Sequence, residues 1–271
     1  MTTLTAPTAR PAAPSPLGRI RAVAAAETRL LVRNRTAVVN SVVAPLLLVA
    51  VAPVLGLDGG AAGGMGLLVT AAVVTLVFLT YYNLVTTYVA RREDLVLQRM
   101  RTGELTDGEV LAATAVPTLL VTVGQLLLIT VGVAVLGGWR APADVVLPVL
   151  AVLLGVVLMV ALATASTVFT RTPESAQITT LPVVVVATAL SGLFFPLTVL
   201  PEWLAPVARL LPVTPVVELV QLGLAGRTWD GEAVAGAELW WAALGPLGTL
   251  LAWTAIAGVA TAWWFRWAPR R

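Results

Sequence analysis

The 271-residue sequence contains no cysteine, no histidine and no lysine. The first absence removes disulfides and thiolate chemistry, and the second removes imidazole bases and, with cysteine, the usual zinc and haem ligands. The third removes any GK[ST] phosphate loop, so the chain cannot cradle nucleotide phosphates in that way. All seventeen basic residues are arginine, and charged residues make up only 11% of the chain. No basic stripe is interleaved with aromatics, which argues against nucleic acid as a partner. Arginine without lysine, alongside abundant Ala, Val, Leu and Gly, is the usage of a high-GC bacterial genome.

What fills the chain instead is apolar: 58% of residues are hydrophobic and the mean hydropathy is +0.92, far outside the soluble globular range. The long apolar tracts reach the ~20 residues needed to cross hydrocarbon as helix, and none shows the alternation of a membrane barrel. The expected fold is an all-α integral membrane protein with six spans, at about 37–57, 65–90, 110–137, 145–170, 176–196 and 239–265. Residues 1–17 are rich in Pro, Ala and Thr and read as a disordered tail, leaving 18–271 as one transmembrane domain.

The arginines orient it. Six precede the first span, four lie in 91–101, one is Arg171 and three follow the last span, against Arg140, Arg209 and Arg227 on the other side. The positive-inside rule then places both termini in the cytoplasm, with the membrane a bacterial plasma membrane. Two tryptophan clusters, Trp240 with Trp241 and Trp263 with Trp264 and Trp267, bracket the last span as interfacial belts.

Residues 18–35 are too charged to span. On a helical wheel Ile20, Val23, Ala24, Leu30 and Leu31 share one side and Arg21, Arg29 and Arg33 lie opposite, the pattern of a helix resting in the membrane surface. Glu27 interrupts its apolar side, either as a carboxylate paired with a neighbouring arginine or as a contact to a cytoplasmic partner. Between the last two spans, Pro201 and Pro215 each stand where a helix could begin, the second behind a candidate N-cap, Thr214. They predict two helices of about eleven residues within 197–225, each too short to cross, dipping into the membrane and returning.

The spans hold essentially no ionisable side chain, so an ion-coupled carrier or an intramembrane hydrolase would lack its working groups. No residues form a catalytic set or a metal site. Energy for any transport must enter from another chain. The spans do offer mild polarity: Thr80, Asn83 and Thr87 at i, i+3 and i+7, Tyr81 and Tyr88 on a neighbouring face, and Gln125. These groups either glue helices together or wall a path for an amphipathic substrate.

The densest polar stretch is Arg91–Glu109, which holds four arginines and five acids in nineteen residues. It presents Val96, Leu97 and Met100 as an apolar patch among Arg91, Arg92, Glu93, Asp94, Arg99 and Arg101. A short helix outside the membrane is expected over 91–101, followed by a capping box from Thr106 to Glu109. The residues alone leave open whether this is a docking surface or a solvated turn. A second, shorter turn at 170–177 has Thr172 as candidate N-cap and Pro173 at N1.

Three stretches carry a resemblance: the arginine-rich 18–35 helix, RREDLVLQRMR at 91–101, and SGLFFPLTVLPEWLAPVARLLPVTPVVELVQ at 191–221. In the last, a small-Gly-aromatic-Pro run, a Pro-x-Trp helix start and a Leu-Pro-x-Thr-Pro step occur in order. The chain resembles the ABC-2 type permeases, membrane subunits of bacterial ATP-binding cassette exporters, including multidrug-efflux systems. The resemblance implies a permease that pairs with a second copy, a homodimer before a heterodimer, and binds separate ATPase subunits on which ATP and Mg are held. It implies that 91–101 is the coupling helix, 18–35, with Glu27, the connecting helix, and 197–225 an external re-entrant pair. Phe194, Phe195, Pro196 and Trp203 would form the external gate. On the path reading of the spans' polar groups, Tyr81, Asn83, Thr87 and Gln125 are the expected substrate-path residues. One departure is Thr102-Gly103-Glu104-Leu105, where many relatives carry a proline-containing turn. A membrane anchor that recruits an ATPase without transporting anything is the alternative function.

Overall fold

Backbone amides in hydrocarbon find no water, so apolar runs this long must close their hydrogen bonds locally as helix. The computed structural model describes residues 15–33, 60–102, 105–136, 138–193 and 197–268, with helical positions 39, 43, 47 and 51. Among the described residues there is no strand. An isolated antiparallel bridge joins Arg227 to Ala233.

In chain order the helices are α1 (Pro16–Arg33), α2 (Gly60–Val74), a π-helical segment (Thr75–Tyr82), α3 (Asn83–Glu93), α4 (Val96–Arg101), α5 (Asp107–Val135), α6 (Val146–Ser166) and α7 (Ala176–Ala189). A 3-10 turn (Leu197–Val199), α8 (Ala205–Arg209), α9 (Thr214–Ala225) and α10 (Ala237–Trp264) complete them. Among the described residues, four stretches are long and apolar enough to cross a bilayer: Gly63–Glu93, Asp107–Val135, Val146–Ser166 and Ala237–Trp264.

The first of these is the axis of the bundle. Leu76, Tyr81, Leu84, Val85 and Val89 along it are wholly enclosed, with α6, α7, α9 and α10 contributing to the same core. Gly155 of α6 makes a close approach possible. A Cβ there would lie 2.9 Å from Leu76 and 3.3 Å from Val216, so its absence lets α6, the π segment and α9 meet. The outward faces of α5, α6 and α10 remain aliphatic and exposed, with Leu127, Leu153 and Ile256 among them, as a lipid-facing surface requires.

Several expectations change. The span at 37–57 lies outside the described residues apart from four positions, and the tail at 1–14 lies outside them altogether. The apolar run from 176 forms helix only to Ala189, fourteen residues, or ~21 Å against a hydrocarbon thickness of ~30 Å. Residues 190–193 then bend.

The pair within 197–225 is unequal, five residues and twelve. Pro201 nucleates a turn rather than a helix, its carbonyl accepting from both Leu204 and Ala205, so regular helix begins four residues later. Thr214 is not an N-cap but the first helical residue. Its hydroxyl donates to the Ala208 carbonyl at 2.6 Å and ties α8 to α9. Thr172 likewise closes a turn, accepting from the Ser175 amide at 3.3 Å, and α7 starts only at Ala176.

The turn between α8 and α9 is anchored deep along α10. Trp253 Nε1 donates to the Leu210 carbonyl at 2.7 Å, sixteen residues, ~24 Å, from the first turn of that helix. At the opposite end of the bundle from the 91–101 segment, backbone bonds from Ala143 and Asp144 to Leu224 and Gly223 fasten the loop before α6 to the end of α9.

Candidate functional site: a polar joint at the 91–101 segment

The 91–101 stretch is not one helix. The membrane-crossing helix continues through Arg91 and Arg92 to Glu93, and the chain turns at Leu95, whose φ of 58° and ψ of 14° lie in the left-handed region. For a leucine that conformation costs ~1–2 kcal/mol, which only fixed surroundings sustain. The short helix α4, Val96–Arg101, then runs six residues.

This break divides the apolar patch. Leu97 is wholly enclosed, whereas Val96 and Met100 are half-buried and Leu95 is exposed. Leu97 therefore packs into its own protein, while Val96 and Met100 of the same trio keep accessible surface. Leu95 takes its place on the outside, along with exposed Asp94, Arg99 and Arg101.

Arg92 is the most deeply enclosed charge among the described residues, at 1% exposure. Its Nη1 donates to the Thr167 carbonyl at 3.0 Å, and its Nη2 to Thr170 at 2.6 Å and to Arg171 at 3.3 Å. Those carbonyls lie at the C-cap of α6 and in the turn beyond it, on the partially negative side of the helix end. One planar guanidinium thus ties the end of one span to the turn after another. Glu93, half-buried, lies 3.7 Å from it.

Two ion pairs attach α1 to the same place. Arg91 pairs with Glu27, and Arg19 Nη2 reaches Glu109 Oε1 at 2.7 Å. Glu109 is also the far half of the expected capping box: its Oε2 accepts from the Thr106 amide at 2.7 Å, while Thr106 Oγ1 accepts from the Glu109 amide at 3.4 Å. Arg19 and Glu27, ~12 Å apart along α1, therefore bridge the two spans that flank α4. Arg101 pairs with Asp107 at 2.9 Å and lies 5.1 Å from the centre of the Trp267 ring, bringing the segment after α10 to the same end.

The four residues assigned to a substrate path are not equivalent. Tyr81 is fully enclosed, and its hydroxyl bonds Ser166 at 2.9 Å. Asn83, Thr87 and Gln125 are half-buried. The π segment changes the helical register between Thr80 and Asn83, so the face assumed from a uniform wheel does not persist. Thr80 instead bonds Thr122 of α5 at 2.8 Å, and Thr164 bonds Thr261 of α10 at 2.6 Å. Hydroxyls of this kind serve here as interhelical ties.

Of the gate residues, Phe194, Phe195 and Pro196 lie outside the described residues, and Trp203 is exposed in the turn before α8. A nearly wholly apolar cavity of about 530 Å³ opens between α2, α5, α6 and α9, with Thr130, Trp139 and Leu153 in its wall. No cluster of potential metal ligands occurs among the described residues.

Sequence reasoning missed Arg19, Leu95 and Ser166. It took Arg92 for a surface charge. Only the last carried a signal: an arginine one turn after Tyr88, still in phase with the apolar face of its span.

Helices of membrane-crossing length, tied at one end by partly buried ion pairs to an amphipathic helix and a short surface helix, make a multi-helix membrane protein. The chain belongs to the ABC-2 type transporter family, whose model matches residues 18–224. It is therefore the membrane component of an ABC transporter, a class that associates with an ATP-binding subunit. The match runs from α1 through the polar joint to Leu224, stopping before α10. No curated protein matches the sequence.

Proposed function

We propose that this chain is the permease of a bacterial plasma-membrane exporter that moves hydrophobic or amphipathic compounds, drug-like molecules or lipids, outward at the expense of ATP hydrolysed on a separate subunit. In this reading six spans leave both termini in the cytoplasm, and two copies of the chain form the path. ATP and Mg reside on the ATPase, which seats α4 through Leu95, Val96 and Met100. The pair within 197–225 closes the external exit.

The observation that carries the reading is the Arg92 clamp. Force delivered to α4 passes into a helix end fastened to α6 by Arg92 and to α1 by Arg91, while Arg19 carries it from α1 to α5. The approach of Arg101 to Trp267 supports a shared side for α4 and the C-terminal segment.

The test is reconstitution of the chain with its ATPase in vesicles. ATP-dependent efflux of a lipophilic dye or a fluorescent lipid, lost in Met100→Asp together with ATPase association, is the expected result. Association and ATP turnover with no movement of any amphipathic probe would make the chain an anchor.

A further inference from the structure

Arginine residues 21, 29 and 33 follow one another along α1 at ~12 and ~6 Å, all three exposed. Among the described residues no carboxylate pairs with them, in contrast to Arg19 and Arg91. They border a groove of about 640 Å³ between α1 and α5, whose remaining wall includes Val32, Val116 and Leu120. Val116 and Leu120 lie nine and thirteen residues into α5, ~14 and ~20 Å from its first turn. One groove thus combines three guanidiniums of α1 with an aliphatic wall along a membrane-length helix, with Leu120 itself exposed.

We propose that this groove binds an anionic phospholipid of the leaflet on the α4 side, its phosphate among Arg21, Arg29 and Arg33 and an acyl chain against Val116 and Leu120. Charge and shape both select this occupant. Three unpaired cations repel a cationic amphiphile and attract a phosphodiester. A soluble protein could meet the arginines but not an aliphatic wall on a membrane-crossing helix, whereas a phospholipid carries both an anionic headgroup and apolar chains. The site would hold α1 on α5 in addition to its ties to Glu109 and Arg91. The inference does not depend on what the transporter carries.

The experiment is native mass spectrometry of the full-length chain purified in detergent and incubated with phosphatidylglycerol or phosphatidylcholine. Wild type is expected to retain phosphatidylglycerol preferentially, and the triple variant R21Q/R29Q/R33Q to lose that preference, at roughly fivefold per arginine. Leu120→Trp, which fills the exposed wall and leaves the charges alone, is expected to lower phosphatidylglycerol retention severalfold. Glycerophosphoglycerol, the same headgroup without chains, is expected not to bind. Equal retention of the two lipids by wild type, an unchanged preference in the triple variant, or full binding of the chain-free headgroup would each overturn the proposal. So would a triple variant that keeps its lipid but loses its ATPase, since the arginines would then serve a protein.

Discussion

Arg92 closes one span and Thr170 lies in the turn after another, 78 residues on, yet the guanidinium of one meets the carbonyl of the other at 2.6 Å inside the protein. A cation this enclosed is tolerated because three carbonyls at and beyond the end of α6 replace its water. The junction becomes rigid.

Arg92→Gln should therefore destabilise the protein by about 3 kcal/mol or more, because it strands acceptors as well as removing donors. Arg92→Lys should rescue little, since an ammonium cannot span three carbonyls as a planar fork does. Thermal unfolding of the purified chain in detergent measures both. Near-wild-type stability in Arg92→Lys would show that charge alone suffices.

For Glu27 and Arg91 a double-mutant cycle is the appropriate measurement. Glu27→Gln and Arg91→Gln should each weaken efflux, and the double variant should be little worse than either, giving a coupling of about 0.5–3 kcal/mol. Additive losses would mean that the two side chains act separately.

Leu97 and Met100 separate packing from docking. Leu97→Ala should cost about 2–5 kcal/mol of stability, as a truncated core leucine does. Met100→Asp should leave the unfolding temperature nearly unchanged while abolishing co-purification of the ATPase. The reverse pattern would place the contact surface elsewhere.

Glu218 provides a pH test. It lies in α9, partly enclosed, and burial pushes its carboxyl above the ordinary carboxylate range, with Arg209 acting against the shift. A raised folded-state pKa means the folded protein binds this proton more tightly than the unfolded chain. The site is therefore neutral to stability below the ordinary value of ~4.3, and becomes unfavourable as pH rises through the folded-state pKa. Glu218→Gln should raise the unfolding temperature at pH 7 and lose that advantage as pH falls towards 4. A constant difference across the range would show that the carboxyl does not titrate in this window.

Gly155→Val should disrupt the meeting of α6, the π segment and α9. The first added carbon already lies 2.9 Å from Leu76, and overpacking of this kind costs about 1–3 kcal/mol. Efflux and thermal stability should both fall, whereas Gly258→Val, at a position with open space around it, should change neither.

Length and hydropathy made the helical membrane class legible, because hydrocarbon admits few backbone solutions. The capping box was legible for the same local reason: Thr106 and Glu109 satisfy each other within one turn. Positions whose state depends on distant partners were not. Nothing near Arg92 in sequence announces the carbonyls of Thr167 and Thr170, and nothing near Glu27 announces Arg91. Leu95 was hidden differently, because a left-handed leucine contradicts its own preference and is imposed by packing on either side. Pro201 misled because a proline that can begin a helix can equally begin a turn, and only the fold decides between them.

The π-helical segment Thr75–Tyr82 has one more consequence. Each wide turn stores a little surplus chain, so the register between the gripped part of that span and its arginine-bearing end is set by neighbours rather than by helical geometry. Losing a single residue from an unbroken α-helix would swing everything beyond it by ~100°. Here a turn can tighten to absorb the loss, leaving Arg91 and Arg92 facing their partners. The span that bears the clamp thus carries its own slack, placed between the grip of Gly155 and the pull on Arg92.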